Sequence, residues 1–424
     1  MRYPLIITAT LLAIAPANTL VAQALDEGVT KKDVQEIVEK SELEMDGSLD
    51  DAAGTTTDVS NQVGWMFAAD ARGSYSYEDF TFDTGDSESD DDISLRWRAE
   101  TKVGARYARL AARLAGVCST SSCKPDFVMQ SSSDDLEAGQ ITLDELYLHW
   151  FKLERFNLVA GRMQTKFVAR GGVFAKSLDR NNSNNLNVNW TDGIQGTFTL
   201  RNGWTGNLIF EYNDSEGSGS IRREPLDFSD DGSRVTTFVA IENNRRAGPF
   251  LQRGLDISYL PDSLQKDGTD FGRLEDYWAF VGRAAMRFPK EPTGASLRLS
   301  GELGYAPETQ TNLSEGITGG GDTDGLAWNF TASIMNLIPR NSLGINYGRT
   351  GAGWLLSPQY ANNTELFEVR YLWRRNRQLA VDLRARWIDE LETSLLSPRE
   401  TESFDMYLRV TWGVTTESPR IFRH

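Results

Sequence analysis

From about Gly64 to Val414 the chain reads as sixteen strand-length segments in which apolar and polar residues alternate. The links between them alternate strictly between two to six residues and roughly eight to twenty-five. Side chains of a strand repeat every two residues, so each segment has one apolar and one wet face. Near the C-terminus Phe404, Met406, Leu408, Val410 and Trp412 share one parity, while Asp405, Tyr407, Arg409 and Thr411 share the other. The segments are 63–77, 93–103, 106–117, 141–152, 156–166, 190–200, 203–213, 234–243, 250–260, 276–288, 295–306, 326–337, 342–350, 365–374, 379–390 and 403–413.

A soluble sandwich would also alternate, so the composition of the wet face decides. In the second segment Leu95, Trp97, Ala99, Thr101 and Val103 oppose Ser94, Arg96, Arg98, Glu100 and Lys102. A stripe that polar suits a water-filled lumen, with the apolar face turned to lipid. Closure removes the edges that hydrocarbon would not tolerate. The expected fold is all-β: a sixteen-stranded antiparallel transmembrane barrel over 63–413, with a short N-terminal periplasmic helical extension and a tail at 414–424. Short links such as Leu153-Glu154-Arg155, Arg201-Asn202 and Pro339-Arg340-Asn341 follow even-numbered segments and read as periplasmic turns. An even count then leaves both termini in the periplasm.

Composition agrees. Of 424 residues 40% are hydrophobic, yet the chain after its first residues has no apolar run of eighteen, so any spanning falls to strands. Met1-Arg2, the apolar stretch Leu5 to Ala17 and Ala22-Gln23-Ala24 read as a signal peptide over 1–24, removed before Leu25. Export to the cell outer membrane is the expectation. Loss of Arg2 takes the net charge from −16 to −17, an acidity that argues against nucleic-acid binding. Residues 25–62 join an amphipathic stretch (Val29, Val34, Ile37, Val38) to a polar linker and read as a periplasmic helix serving as a spacer. Ten of eleven tryptophans fall on the lipid-facing parity in two sets by height. Trp65, Trp150, Trp204, Trp373 and Trp412 lie near the periplasmic ends, and Trp97, Trp190, Trp278, Trp328 and Trp387 toward the extracellular ends. Two aromatic girdles match two membrane interfaces.

A sixteen-stranded barrel is too wide for its own side chains to fill, so whatever narrows the path sets the function. The third long loop, Phe167 to Asn189, carries Arg170, Lys176 and Arg180 against Asp179, with Lys166 at its base. On the wall Arg96, Arg98, Arg109, Arg113, Arg283, Arg287, Arg298, Arg370, Arg384, Arg386 and Arg409 take the luminal parity with Lys102. Among acids Glu100, Asp256, Glu302, Glu368, Asp382 and Asp405 do the same. Two readings stand: positive rings that favour anions, or cross-strand pairs that stabilise a wet wall. The first loop, Glu78 to Asp92, carries eight acids and no base and reads as a solvated surface loop that divalent ions could bridge to lipid phosphates, not as a built metal site. Cys118 and Cys123, the only cysteines, are expected to form a local disulfide, because a metal would need further ligands. His149 has no nearby serine in its segment and His424 ends the chain, so no hydrolase triad is expected, and no cofactor.

Over Trp65 to Trp412 the chain resembles the porins of Gram-negative outer membranes, a group similar to the phosphate-selective porins. Leu158-Val159-Ala160-Gly161-Arg162 leading to Phe167 looks like the strand before the constriction loop in those families, and Leu143 to Lys152 like its partner. The resemblance implies a passive diffusion channel for small hydrophilic solutes or anions, a homotrimer among outer-membrane lipid and lipopolysaccharide, with the third loop folded inward. Lys166, Arg170, Lys176 and Arg180 would then lie near the constriction. A narrow or plugged barrel, acting as a substrate-specific channel or surface interaction protein, is the alternative. The chain departs from the pattern at Tyr407, where the assembly signal has glycine, and in the absence of a dense lysine cluster.

Overall fold

The computed structural model describes residues 63–417 except 106, 121, 129–135, 165–166, 175–177, 179–190, 214–233, 267–273, 291–293, 357–361, 377 and 394–399. The N-terminal helix read from the sequence lies outside the described residues.

The strands are β1 (Gly64–Phe82), β2 (Ser87–Ala105), β3 (Ala108–Ser119), β4 (Asp126–Phe127), β5 (Gln140–Leu153), β6 (Phe156–Met163), β7 (Thr191–Thr199), β8 (Trp204–Asn213), β9 (Arg234–Asn243), β10 (Phe250–Gln265), β11 (Leu274–Lys290), β12 (Ala295–Tyr305), β13 (Leu326–Ile338), β14 (Asn341–Thr350), β15 (Thr364–Arg374), β16 (Leu379–Glu390) and β17 (Glu400–Glu417). Sixteen of them pair with their neighbours in antiparallel order, and β17 returns to β1 along Met66↔Glu417 to Phe82↔Glu400, closing the barrel. The two-residue β4 lies in the connection after β3 and pairs parallel with β5. Each segment expected from the sequence overlaps one wall strand. Among the described residues no helix is long and apolar enough to cross a membrane.

Inward and outward parity are sharply different. On β12, β13 and β14 the outward Leu303, Phe330 and Ile345 are 50–59% exposed, whereas the inward Glu302, Asn329 and Asn346 are at most 4% exposed. An apolar exterior around a polar interior inverts a soluble domain and suits hydrocarbon outside. Aromatic pairs collect at both rims. At the loop end Trp387 packs between Phe367 and Phe404 at 5.6 and 5.2 Å, and Trp278 meets Tyr259 at 4.5 Å. At the turn end Phe156 bridges Trp150 and Phe198. Trp190 lies outside the described residues. Trp97 stands mid-strand in the long β2, its indole where a side chain on Gly116 would lie.

The structure corrects two boundaries. The first acidic loop is not a loop: β1 and β2 continue outward in register, Glu78↔Asp90 to Thr81↔Ser87, leaving a turn at 83–86. Alternation continues through the acidic run, and charge alone does not unpair a hairpin held by its backbone bonds. The last strand likewise runs past Gly413, pairing Val414 to Glu417 with Ala69 to Met66.

Candidate functional site

The described part of the connection from β6 to β7, Phe167 to Phe174 with Leu178, lies inside the barrel. Gly161, Arg162 and Met163 end β6, after which Phe167 to Phe174 and Leu178 lie buried or half-buried against the far wall. The backbone is held by side chains of three strands. On β10, Gln252 accepts from the Arg170 N–H at 2.9 Å and donates to the Val168 carbonyl at 3.0 Å. On β13, the Ser333 hydroxyl donates to the Gly171 carbonyl at 2.6 Å and accepts from the Val173 N–H at 3.3 Å. On β12, Glu302 accepts from the Leu178 N–H at 3.1 Å and from Asn329 at 3.2 Å. Polar wall residues thus satisfy loop backbone that would otherwise be buried unpaired.

Close approach is allowed by glycine. Gly172 has φ +83, and a Cβ there would sit 2.7 Å from the Ser333 Cβ. At Gly304 an added Cβ would meet the Trp354 ring at 2.5 Å. Trp354, 1% exposed, belongs to the connection between β14 and β15, and its indole donates to the Leu178 carbonyl at 3.1 Å. The Tyr277 hydroxyl of β11 donates to the Gly353 carbonyl at 3.3 Å and accepts from the Leu355 N–H at 3.1 Å. Phe167, Leu178, Trp354, Leu355 and Leu356 form one apolar cluster with wall residues Phe238, Leu260 and Tyr277. Two connections therefore fold inside the barrel and share a dry core against β8–β15.

The remaining arc of wall, β15–β17 with β1–β3 and β5, is charged and keeps solvent contact. Arg370 is held by Asp382 through Nε and Nη2 at 2.9 and 2.5 Å. Asp405 receives Arg384 at 2.5 Å and also Arg386. Arg384 and Arg409 lie over the Tyr407 ring at 4.2 and 4.1 Å, and the Tyr407 hydroxyl donates to Asp382 at 3.2 Å. Farther round, Arg113 pairs with Asp144 and Glu145 at 2.9 and 2.8 Å, and Lys102 with Glu100 at 2.9 Å. The side chains of Arg370, Arg384 and Arg386 retain 20–22% exposure.

Of the expected constriction residues only Arg170 is described, half-buried on the infolded loop; Lys166, Lys176, Asp179 and Arg180 lie outside the described residues. Among the expected wall arginines, Arg96, Arg98, Arg109, Arg113, Arg370, Arg384, Arg386 and Arg409 belong to the charged arc. Arg283 and Arg298 are 4% and 2% exposed, on the wall the loops cover, and Arg287 is half-buried. Arg283 pairs with Asp256 and Glu242 and lies 5.8 Å from the Phe167 ring. Parity found the side these arginines face and was blind to the cover. Sequence reading missed Arg72, opposite Arg96 and of the same parity. It also missed Asp144, turned inward beside Glu145 where the β3–β5 register shifts, and Trp354. Cys118, at the end of β3, forms a disulfide with Cys123 in the connection that follows. His149 packs against Phe151 at 5.1 Å.

No protein-family model matches the chain and no curated protein sequence does. Solved structures are similar to it. A BenF-like porin from Pseudomonas fluorescens Pf-5 aligns over 83% of this chain and 99% of that one, at 12% identity and a TM-score of 0.50. Pseudomonas aeruginosa OccK8 (OprE) covers 83% and 98% at 11% identity and a TM-score of 0.49. OccK9 (OpdG) of the same organism covers 83% and 98% at 13% identity and 0.48. The likeness to the BenF-like porin is one of fold: a closed antiparallel β-barrel.

Proposed function

We propose that this chain is an outer-membrane porin, a passive diffusion channel for small hydrophilic solutes with a mild anion preference. The observation that carries the reading is the loop folded across the lumen and fastened to the far wall, facing an arc whose arginines keep solvent contact. A fixed constriction beside partly hydrated guanidinium groups narrows a pore and biases it toward anions. The apolar exterior with its two aromatic rims supports a membrane location, and residues 1–24 would direct export. No arrangement of nucleophile, base and oxyanion donors stands out among the described residues, and we read the chain as a channel, not an enzyme. A homotrimer in a membrane bearing lipopolysaccharide extends the same reading.

A second reading has its own observation. Two inward connections cover half the interior wall, which also suits a narrow, substrate-specific channel. Single-channel recording of the purified chain in a planar bilayer under a salt gradient separates the readings. Stable ohmic steps with an anion-leaning reversal potential, weakened by Arg170→Gln and Arg409→Gln, are expected. Absence of conductance from a correctly folded barrel would overturn the diffusion-channel reading and favour the plugged one.

A further inference from the structure

The two ends of the barrel differ in charge, and the difference is concentrated at one corner. In the short connections the described residues include six exposed arginines, Arg155, Arg201, Arg245, Arg246, Arg340 and Arg375, against one carboxylate, Glu154. The described residues of the long connections are acidic on balance, with Asp83, Asp86, Asp322 and Asp324 among them. Three of the six arginines, Arg201, Arg245 and Arg246, belong to the turn between β7 and β8 and the turn between β9 and β10, which touch one another. Asn243 donates to the Asn202 carbonyl at 3.0 Å across these turns, and the Arg245 side chain lies over Gly203, 3.0 Å from where its Cβ would be.

Beside them stands Arg253. Its register partners Asn243 and Ala284 and its parity with Leu255 put it on the outer face of β10, where the strand bulges after Phe250. The guanidinium lies 5.9 Å from the Trp204 ring and 5.7 Å from the Phe250 ring. An outward guanidinium set among rim aromatics, which no carboxylate of the described residues neutralises, is suited to meet an anion supplied by the surroundings. At the rim of a membrane-spanning barrel that anion is a lipid phosphate, which takes a guanidinium in bidentate fashion.

We propose that Arg201, Arg245, Arg246 and Arg253, with the Trp204 indole, bind the phosphate of an anionic phospholipid at the turn-side membrane surface. The site rests on the membrane-spanning reading. The aromatic rings would lie against the upper acyl chain, Arg253 would take the phosphate from the membrane side, and the three turn arginines would close over it from water.

The test uses the full chain in nanodiscs of equimolar phosphatidylcholine and phosphatidylglycerol, with lipids retained after detergent extraction counted by native mass spectrometry. The wild type should retain phosphatidylglycerol preferentially, and Arg253→Gln or paired Arg245→Gln and Arg246→Gln should lower that preference by about fivefold per arginine removed. The distant pair Arg340→Gln and Arg375→Gln should leave it unchanged. Equal loss from the distant pair would mean a diffuse field and overturn the site, as would a preference indifferent to all these changes. Displacement of the lipid by inorganic phosphate or soluble polyglutamate at matched charge would overturn the lipid in favour of a soluble acidic ligand. Heat-modifiable migration and a β-sheet circular dichroism spectrum report the barrel independently. A chain that never enters the nanodisc sinks the membrane reading, whereas a folded, inserted barrel without phosphatidylglycerol preference sinks this proposal alone.

Discussion

Gly172 and Asp405 show how single residues set the interior. At Gly172 a positive φ coincides with a wall side chain where a Cβ would go, so Gly172→Val meets both backbone strain and overlap with Ser333 and Met335. The expected outcome is a folded barrel whose inner loop is unseated by about 1–3 kcal/mol, read as a larger or noisier single-channel conductance. Asp405 neutralises Arg384 and Arg386 at once. Asp405→Asn keeps the shape and removes the charge, so the reversal potential should move toward the anion limit; a move toward cations would refute the arc as the selectivity element. The luminal parity of Asp405 was legible in a window of nine residues. Burial of Arg283 was not, because Phe167, which packs against it, comes from a loop far away in the sequence.

Elements carry the next level. The connection at 306–325 touches that between β14 and β15 through Glu315, whose Oε2 accepts from Asn362 at 3.1 Å. Burial pushes the Glu315 carboxyl above the usual carboxylate range, while the Asn362 hydrogen bond pulls the other way. A carboxyl whose pKa is raised on packing binds its proton more tightly in the packed form, so packing is favoured below the ordinary carboxylate range and loses that stabilisation as pH rises through the raised value. Proteolysis of this pair of loops should therefore quicken as pH rises above the ordinary carboxylate range, and Glu315→Gln should flatten the dependence. On the last strand, ending the chain after Gly413 deletes the pairs from Val414↔Ala69 to Glu417↔Met66. Heat-modifiable barrel yield should fall, since closure then leaves β1 backbone groups unpaired at the membrane edge. The hairpin of β1 and β2 explains why the acidic run misleads a reader: loops are usually polar, but a polar strand with a satisfied backbone can extend into water.

On the scale of the whole molecule, a wall of partly exposed guanidinium groups should act over a screening length. That length shrinks from about 10 Å at 0.1 M salt to about 3 Å at 1 M, so anion preference should fade across this range while conductance stays ohmic. Salt-independent selectivity would point to a size filter at the inner loop. The barrel itself was written locally: a period of two, link lengths that alternate, and tryptophans on one parity are each read within a few residues, because strand geometry and the two solvents act on every residue separately. How the lumen is divided was decided only by the tertiary structure. Gln252, Glu302, Ser333 and Trp354 become loop anchors because closure brings β6 opposite β10–β14, and such long-range burial leaves no periodic trace in the chain.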